Sequence, residues 1–296
     1  MLISAAGQDE FWDRASFLPD RAVIILPMAT PDILAIIAGN GVYPRLLADA
    51  ARKAGVKKIV AAAFTGETDS ALAQHVDLVE WMRVGQLNRL LKFFREQKIH
   101  HAIMAGQIAP KNLFDLHPDW KALLLLAQLK QRNAESIFAA IADELAKVDV
   151  DLLPATAFLE NSIAAAGLIA GPKLTHSEEE DVEFGWKIAK EIARLDIGQT
   201  VIVKNGTIVA VEAFEGTNDA IKRGGLLARK GAVMVKVAKP NQDMRFDVPV
   251  IGVETIHIAA EVKLRVIAVE AGRTLLLQRD PIIDLAKNAG ISIVAH

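Results

Sequence analysis

From Ile33 onward the chain alternates short, unbroken apolar runs with amphipathic stretches, and this alternation constrains the fold more than any other feature. Ile33–Ala38 is apolar without a gap, as a strand covered on both faces of a parallel sheet must be. Gly39-Asn40-Gly41 follows, then a helical stretch from Tyr43 to about Lys53, with Gly55 placed to end it. Lys58–Ala63 and the weaker Val79–Met82 read as the next strands. Leu87, Leu90, Leu91 and Phe94 fall at i, i+3, i+4 and i+7, one face of a helix. His101–Met104 is a further strand, ended by Ala105-Gly106-Gln107. Strands alternating with helices of this length predict an α/β unit with a parallel sheet and right-handed crossovers.

Residues 119–147 read as two helices broken near Gln131-Arg132-Asn133, and Leu152-Leu153-Pro154 as a short strand or turn. Residues 161–176 hold Gly167, Gly171 and Pro172 without strong periodicity and are expected to join two domains, 33–160 and 177–296. Ser177 and Glu180 offer a capping box, and Phe184, Ile188, Ile192 and Leu195 one apolar helix face. Thr200–Val203 and Ile208–Val211 flank Asn205-Gly206, the strongest short hairpin signal in the chain. Further strands are expected at Ala232–Val237, Val248–Ile251, Arg265–Val269, Leu275–Leu277 and Ile291–Val294. Helices are expected near Asn218–Ala228, Val253–Ala260 and Pro281–Ala289. Residues 1–32 read as an extension whose apolar residues pack on something.

Composition removes several function classes. Among 296 residues, 34 basic and 36 acidic side chains leave a charge of −2, which argues against binding nucleic acid by phosphate neutralisation. There is no cysteine, hence no disulfide, thiolate metal site or cysteine nucleophile. The seven histidines form no H-x-x-x-H pair, so a zinc hydrolase is not expected. No apolar run reaches the roughly 18–20 residues of a membrane span. The N-terminal stretch, with Asp9, Glu10 and Asp13, lacks the basic start of a secretory signal.

Six loops between expected elements carry candidate chemistry. Gly39-Asn40-Gly41, between strand and helix, lets backbone amides approach a phosphate, although Pro44 stands where a G-x-G-x-x-G motif has its third glycine. A plain tight turn explains the same residues. Gly106-Gln107 lies at the carboxyl edge of the expected sheet, where α/β sheets bind ligands, although a loop that needs glycine for its backbone angles explains the same residues better. Asp196-Ile197-Gly198-Gln199 follows a helix that Gly198 is suited to stop. Glu212-Ala213-Phe214-Glu215-Gly216-Thr217-Asn218-Asp219 gathers oxygen ligands of the kind Mg²⁺ prefers, while Thr217 or Asn218 would also serve as an ordinary N-cap. Lys236-Val237-Ala238-Lys239-Pro240-Asn241-Gln242-Asp243-Met244-Arg245-Phe246-Asp247 interleaves cations with carboxylates; such a run is usually a solvated charged loop, but between two apolar strands it also offers the mixture phosphoryl chemistry requires. Glu270-Ala271-Gly272-Arg273-Thr274 adds an arginine capable of bidentate phosphate contacts. Together these loops imply a site for a large, polar, phosphorylated ligand at a domain interface.

The order and spacing of these motifs, with Val84-Gly85-Gln86 and Pro249, resemble the LpxI-type UDP-2,3-diacylglucosamine pyrophosphatases from residue 33 to about 295. The resemblance implies a Rossmann-like N-terminal domain and a distinct mixed α/β C-terminal domain, with the lipid-linked sugar nucleotide bound between them. It implies Mg²⁺-dependent hydrolysis of the pyrophosphate to UMP and 2,3-diacylglucosamine 1-phosphate, a step of lipid A synthesis. It also implies a homodimer in the cytoplasm, in peripheral contact with the inner membrane. The chain lacks the D-x-H and G-N-H-[DE] signatures of the unrelated dimetal enzyme for the same step.

On this reading Asp219, with Asn218, and Asp243 or Asp247 hold Mg²⁺ or orient water, with Glu215 as a further metal ligand. Lys236, Lys239, Arg245 and Arg273 neutralise phosphates. Gly39, Asn40, Gly41, Gln107, Asp196, Gln199, Thr217, Gln242 and Thr274 contact substrate. One departure matters: the family usually reads E-G-T-D, and here Asn218 takes the aspartate's place with Asp219 one residue later. Asparagine ligates through its carbonyl oxygen but is no base. The competing readings are a non-catalytic sugar-nucleotide-binding protein and a dinucleotide-dependent oxidoreductase. The latter lacks the acidic ribose ligand expected after the second strand, where Phe64-Thr65 stand.

Overall fold

A computed structural model describes residues 30–108, 118–129, 134–240 and 242–296. Residues 1–29 of the extension, the expected helix break at 131–133 and Asn241 lie outside the described residues.

The first sheet is built from β1 (Ile33–Ala38), β2 (Lys58–Phe64), β3 (Leu78–Met82), β4 (His101–Ala105) and β5 (Asp151–Leu152), all parallel, in the order β3-β2-β1-β4-β5. Its helices are α1 (Tyr43–Lys53), α2 (Leu87–Glu96), α3 (Trp120–Gln128) and α4 (Ala134–Ala146). Alternation along β1 explains both faces. Leu34, Ile36 and Ala38 pack with Leu47 of α1, while Ala35 and Ile37 pack with Leu90, Leu91 and Phe94 of α2. The strand order reverses direction between β1 and β4, which makes their carboxyl ends the switch point where such sheets bind ligands.

The second sheet is mixed. Its strands are β6 (Gly167–Ala170), β7 (Thr200–Lys204), β8 (Thr207–Val211), β9 (Val233–Lys236), β11 (Val266–Val269) and β13 (Ser292–Ala295), in the order β6-β13-β11-β9-β7-β8. One face carries α5 (His176–Arg194); the other carries α6 (Thr217–Ala228), α7 (Val253–Glu261) and α8 (Arg279–Asn288). The remaining strands, β10 (Val250–Ile251) and β12 (Leu275–Leu276), pair with each other. Leu275 and Leu277 sink into the core beneath the first sheet, with Leu153 and Leu159. One apolar cluster therefore contains residues of both halves.

Four expectations change in detail. Within 161–176, which lacks periodicity, Gly167–Ala170 is an edge strand of the second sheet, largely exposed and so without an alternating signature. The capping box is Thr175 with Glu178, not Ser177 with Glu180; the run T-H-S-E-E-E offers both frames. The buried face of α5 is Val182, Gly185, Ala189 and Ala193, with Phe184, Ile188 and Ile192 at its margin and Leu195 exposed. Small residues prevail because the helix sits tightly on the sheet: a Cβ on Gly185 would come within 2.7 Å of Val235 and 2.8 Å of Val203. The N-cap of α6 is Gly216, which leaves the Thr217 hydroxyl free for other work. The hairpin forms as expected, with φ of 48° at Asn205 and 71° at Gly206, the left-handed pair of a type I′ turn.

Candidate active site

The switch point of the first sheet is a backbone clamp. Asn40 N–H donates to the Gln107 carbonyl at 2.6 Å, and Gln107 N–H returns the bond to Asn40 at 3.3 Å. The loops after β1 and β4 are thus locked face to face. The lock demands glycine on both sides. A Cβ on Gly39 would lie 2.5 Å from the Gln107 carbonyl oxygen, and one on Gly106 2.5 Å from that of Asn40. Gly41, at φ 88°, turns the chain into α1. Tyr43, the first residue of that helix, donates its hydroxyl to the Ala155 carbonyl, and burial pushes its phenol well above the usual range. Ala155 N–H in turn donates to Met244 at 2.8 Å, so the long loop after β9 is pinned to the carboxyl edge of the first sheet.

At the matching edge of the second sheet the chemistry is in side chains. Lys236 ends β9 at 5% exposure, opposite Thr200 in the antiparallel ladder. Its Nζ donates to Thr217 Oγ1 at 2.9 Å and to the Val250 carbonyl at 3.1 Å. Thr217 passes its own proton to Glu212 Oε1 at 2.7 Å. Burial pulls the Lys236 ammonium below the usual lysine range, and Glu212 and Asp247 oppose that pull. A largely desolvated cation with one proton still to donate interacts strongly with an arriving anion.

Around this chain opens a cavity of ≈ 280 Å³ whose lining includes Asp196, Gln199, Glu212, Lys239 and Asp247. Phe138 of α4 and Phe246, stacked with centroids 5.8 Å apart, supply apolar wall. Lys239 is paired with Asp196; burial works against its charge, but Asp196, with Asp247 and Glu135 behind it, holds the ammonium above its usual range. Gln242 Oε1 accepts from Lys239 N–H at 2.8 Å, and its amide nitrogen reaches Gln199 at 3.4 Å. Gly198 must be glycine, since a Cβ there would run into the Glu212 carbonyl oxygen.

The LpxI N-terminal domain family matches residues 33–162 and the LpxI C-terminal domain family matches residues 165–294. The chain belongs to the LpxI family. It is 28% identical over 272 residues to the UDP-2,3-diacylglucosamine pyrophosphatase LpxI of Caulobacter vibrioides, covering 88% of this chain and 96% of that relative.

The LpxI-family residues singled out in sequence divide into three groups. Asp196, Gln199, Thr217, Lys236, Lys239, Gln242 and Asp247 converge on the cavity or on the hydrogen bonds that wall it. Glu215, Asp219 and Asp243 do not meet as a metal cluster; each faces a cation. Arg223 holds Glu215 at 2.5 Å and Arg245 holds Asp243 at 2.7 Å, lowering both carboxyls below their usual range. Asp219 points outward, 63% exposed, towards Lys222. Asn218 turns inward instead, its Oδ1 accepting from Thr255 Oγ1 at 3.4 Å. Asn218, not Asp219, therefore holds the inward position at the start of α6. Arg273 stands 3.9 Å from Glu270, whose other oxygen takes Lys190 and the Ala238 amide. Thr274 is fully buried, and among the described residues its hydroxyl has no partner.

Sequence reasoning names Glu212 only as one of three acids in the Glu212–Asp219 loop and misses Thr200 altogether. Glu212 is buried and anchors the Lys236–Thr217 chain; its signal is a carboxylate directly after β8. Thr200, at 0% exposure with a hydroxyl unpartnered among the described residues, shares the Lys236 face of the sheet. Among the described residues no three acidic or imidazole side chains are gathered to hold a metal unaided. Mg²⁺ commonly takes one or two carboxylates and completes its shell with substrate phosphates and water. Glu212 and Asp247, both on the cavity, fit that donor set.

Proposed function

We propose that this chain hydrolyses the pyrophosphate of UDP-2,3-diacylglucosamine, with water as the nucleophile, releasing UMP and 2,3-diacylglucosamine 1-phosphate for lipid A synthesis. Family membership makes the chain a hydrolase. The observation that carries the reading here is the buried Lys236–Thr217–Glu212 chain beside a cavity that also holds Lys239 and Asp247.

Lys236 and Lys239 bind the phosphate oxygens and stabilise the charge that builds on them as the anhydride breaks. Thr217, oriented by Glu212, fixes the direction of the Lys236 ammonium. Asp247 is the carboxylate best situated to orient water, because Glu215, Asp243 and Asp219 face cations. Asp247 and Glu212 would hold Mg²⁺, which would supply further neutralisation of the pyrophosphate when bound. The Gly39–Gly41 and Gly106–Gln107 clamp gives the nucleotide a rigid surface to rest on, and Arg273 offers a further cation. Among the described residues no helix is long and apolar enough to cross a membrane; the chain would meet its acylated substrate peripherally at the inner membrane face, as a homodimer in the cytoplasm.

The inward Asn218 favours one second reading, a protein that binds the sugar nucleotide without turning it over. Incubation with UDP-2,3-diacylglucosamine, with Mg²⁺ or with EDTA, separates the two. UMP appearing only with Mg²⁺ supports hydrolysis. Tight binding without UMP, with turnover restored by Asn218→Asp, supports the second reading. Neither binding nor turnover removes both.

A further inference from the structure

A second cavity, of ≈ 440 Å³, opens at the opposite edge of the six-stranded sheet from Lys236. It lies where β7 ends and where β9, β11 and β13 begin, and its lining includes Lys204, Lys230, Lys263 and Arg265. Its two carboxylates are already satisfied. Arg265 Nε pairs with Glu178 at 3.1 Å, and Glu178 also caps the Thr175 amide at 2.8 Å. Asp181 accepts the amides of Asn205 at 2.9 Å and Gly206 at 2.6 Å, holding the hairpin turn.

The cations exceed the carboxylates by two. Lys204 Nζ donates to the Gly231 carbonyl at 3.0 Å, which uses one of its three protons. Lys230 and Lys263 sit on exposed loop ends, and neither has a carboxylate within salt-bridge distance among the described residues. Thr175 and Ser177 bring the start of the 19-residue helix α5 to the same cavity, adding the positive end of its dipole. A concave site whose four cations, Lys204, Lys230, Lys263 and Arg265, outnumber its two carboxylates, Glu178 and Asp181, attracts a multiply charged anion, and lysine contributes point charges to phosphate oxygens.

We propose that this cavity is a binding site for a phosphate-bearing anion, separate from the site at Lys236. The chemistry recognised is a phosphate monoester or diester group, carried by a soluble ion or by an anionic lipid headgroup. The proposal does not depend on the pyrophosphatase reading.

The test uses the full chain in chloride buffer. Inorganic phosphate is titrated calorimetrically into the native chain, into Lys230→Gln/Lys263→Gln and into Lys236→Met, and each is floated with phosphatidylglycerol or phosphatidylcholine vesicles. Loss of two surface charges should weaken binding about tenfold, or 1.4 kcal/mol, with thermal melting and UMP release unchanged, while Lys236→Met keeps this binding. Phosphate binding that falls in the double variant identifies a soluble ligand. Flotation with phosphatidylglycerol alone, lost in the double variant, identifies a headgroup. Binding lost in Lys236→Met but not in the double variant, or no binding in either assay, overturns the proposal.

Discussion

The carboxyl edges of the two sheets solve the same problem by different means. At the first, the ends of β1 and β4 are shaped by backbone: two glycines let two loops touch and exchange amide–carbonyl hydrogen bonds. At the second, a buried cation, a hydroxyl and a buried carboxylate form a chain, and the loop geometry serves to hold them. The first edge tolerates almost no added volume and asks for no charge. The second depends on charge that is expensive to bury and is stabilised only by its partners. A backbone clamp suits rigid positioning; a desolvated ammonium suits the stabilisation of charge that changes during a reaction.

The difference predicts which substitutions harm stability and which harm turnover. The largest expected effect is Lys236→Met, which removes the buried cation and substitutes a side chain of similar length. UMP release should fall by about 10²–10³, the loss of one preorganised donor to developing charge, and the melting temperature should fall as well, because Glu212 is left buried without its cation. Gly39→Ala should harm stability and leave turnover largely intact. Overpacking costs about 1–3 kcal/mol, seen as a lower melting temperature, with kcat in the surviving folded protein changed far less than in Lys236→Met. Gly106→Ala adds left-handed strain at φ 92° and should cost at least as much.

A pH series sharpens the contrast further. The depressed lysine gives up its proton in the folded chain before it would in the unfolded one. Rate should therefore fall on the alkaline side below the ordinary lysine range. Over that same window the native chain should gain stability relative to Lys236→Met, because the unfolded state binds the extra proton. Lys236→Arg, which keeps its charge, should carry the rate limb to higher pH if it folds. The smallest effect belongs to Asp243→Asn. Its ion pair with Arg245 is half-exposed and worth about 0–1 kcal/mol. With the Asp243 carboxyl lowered in the folded state, that contribution is present above the usual carboxylate range and vanishes as pH falls through the lowered value.

Elements with strong local signals are legible in the amino-acid sequence alone. β1 and α1 begin and end where the apolar run and Tyr43–Lys53 indicate, and Asn205-Gly206 turns as its φ preference requires. The loops that line the cavity are legible too, since Asp196, Gln199, Lys239 and Asp247 all stand in polar runs between elements. The pairings inside those loops are not. Glu215 and Asp243 read as metal ligands because composition cannot tell a carboxylate that faces Arg223 or Arg245 from one that faces a cavity. The roles of Glu212 and Thr200 are set by burial and cross-strand register, which local sequence does not carry. The α5 face departs from its apparent periodicity because tight packing on the sheet favours Gly185 and Ala189 over the bulkier residues that periodicity emphasises.

The central claim is that the inward-facing side chains at the edge of the second sheet run the reaction and the outward-facing acids do not. Its most direct test is kcat/KM for UMP release from UDP-2,3-diacylglucosamine, measured for Lys236→Met and Asp219→Ala beside the native chain. The account predicts a loss of about 10²–10³ for the first and a rate close to native for the second. Full activity in Lys236→Met, or a collapse in Asp219→Ala with an intact fold, would contradict it.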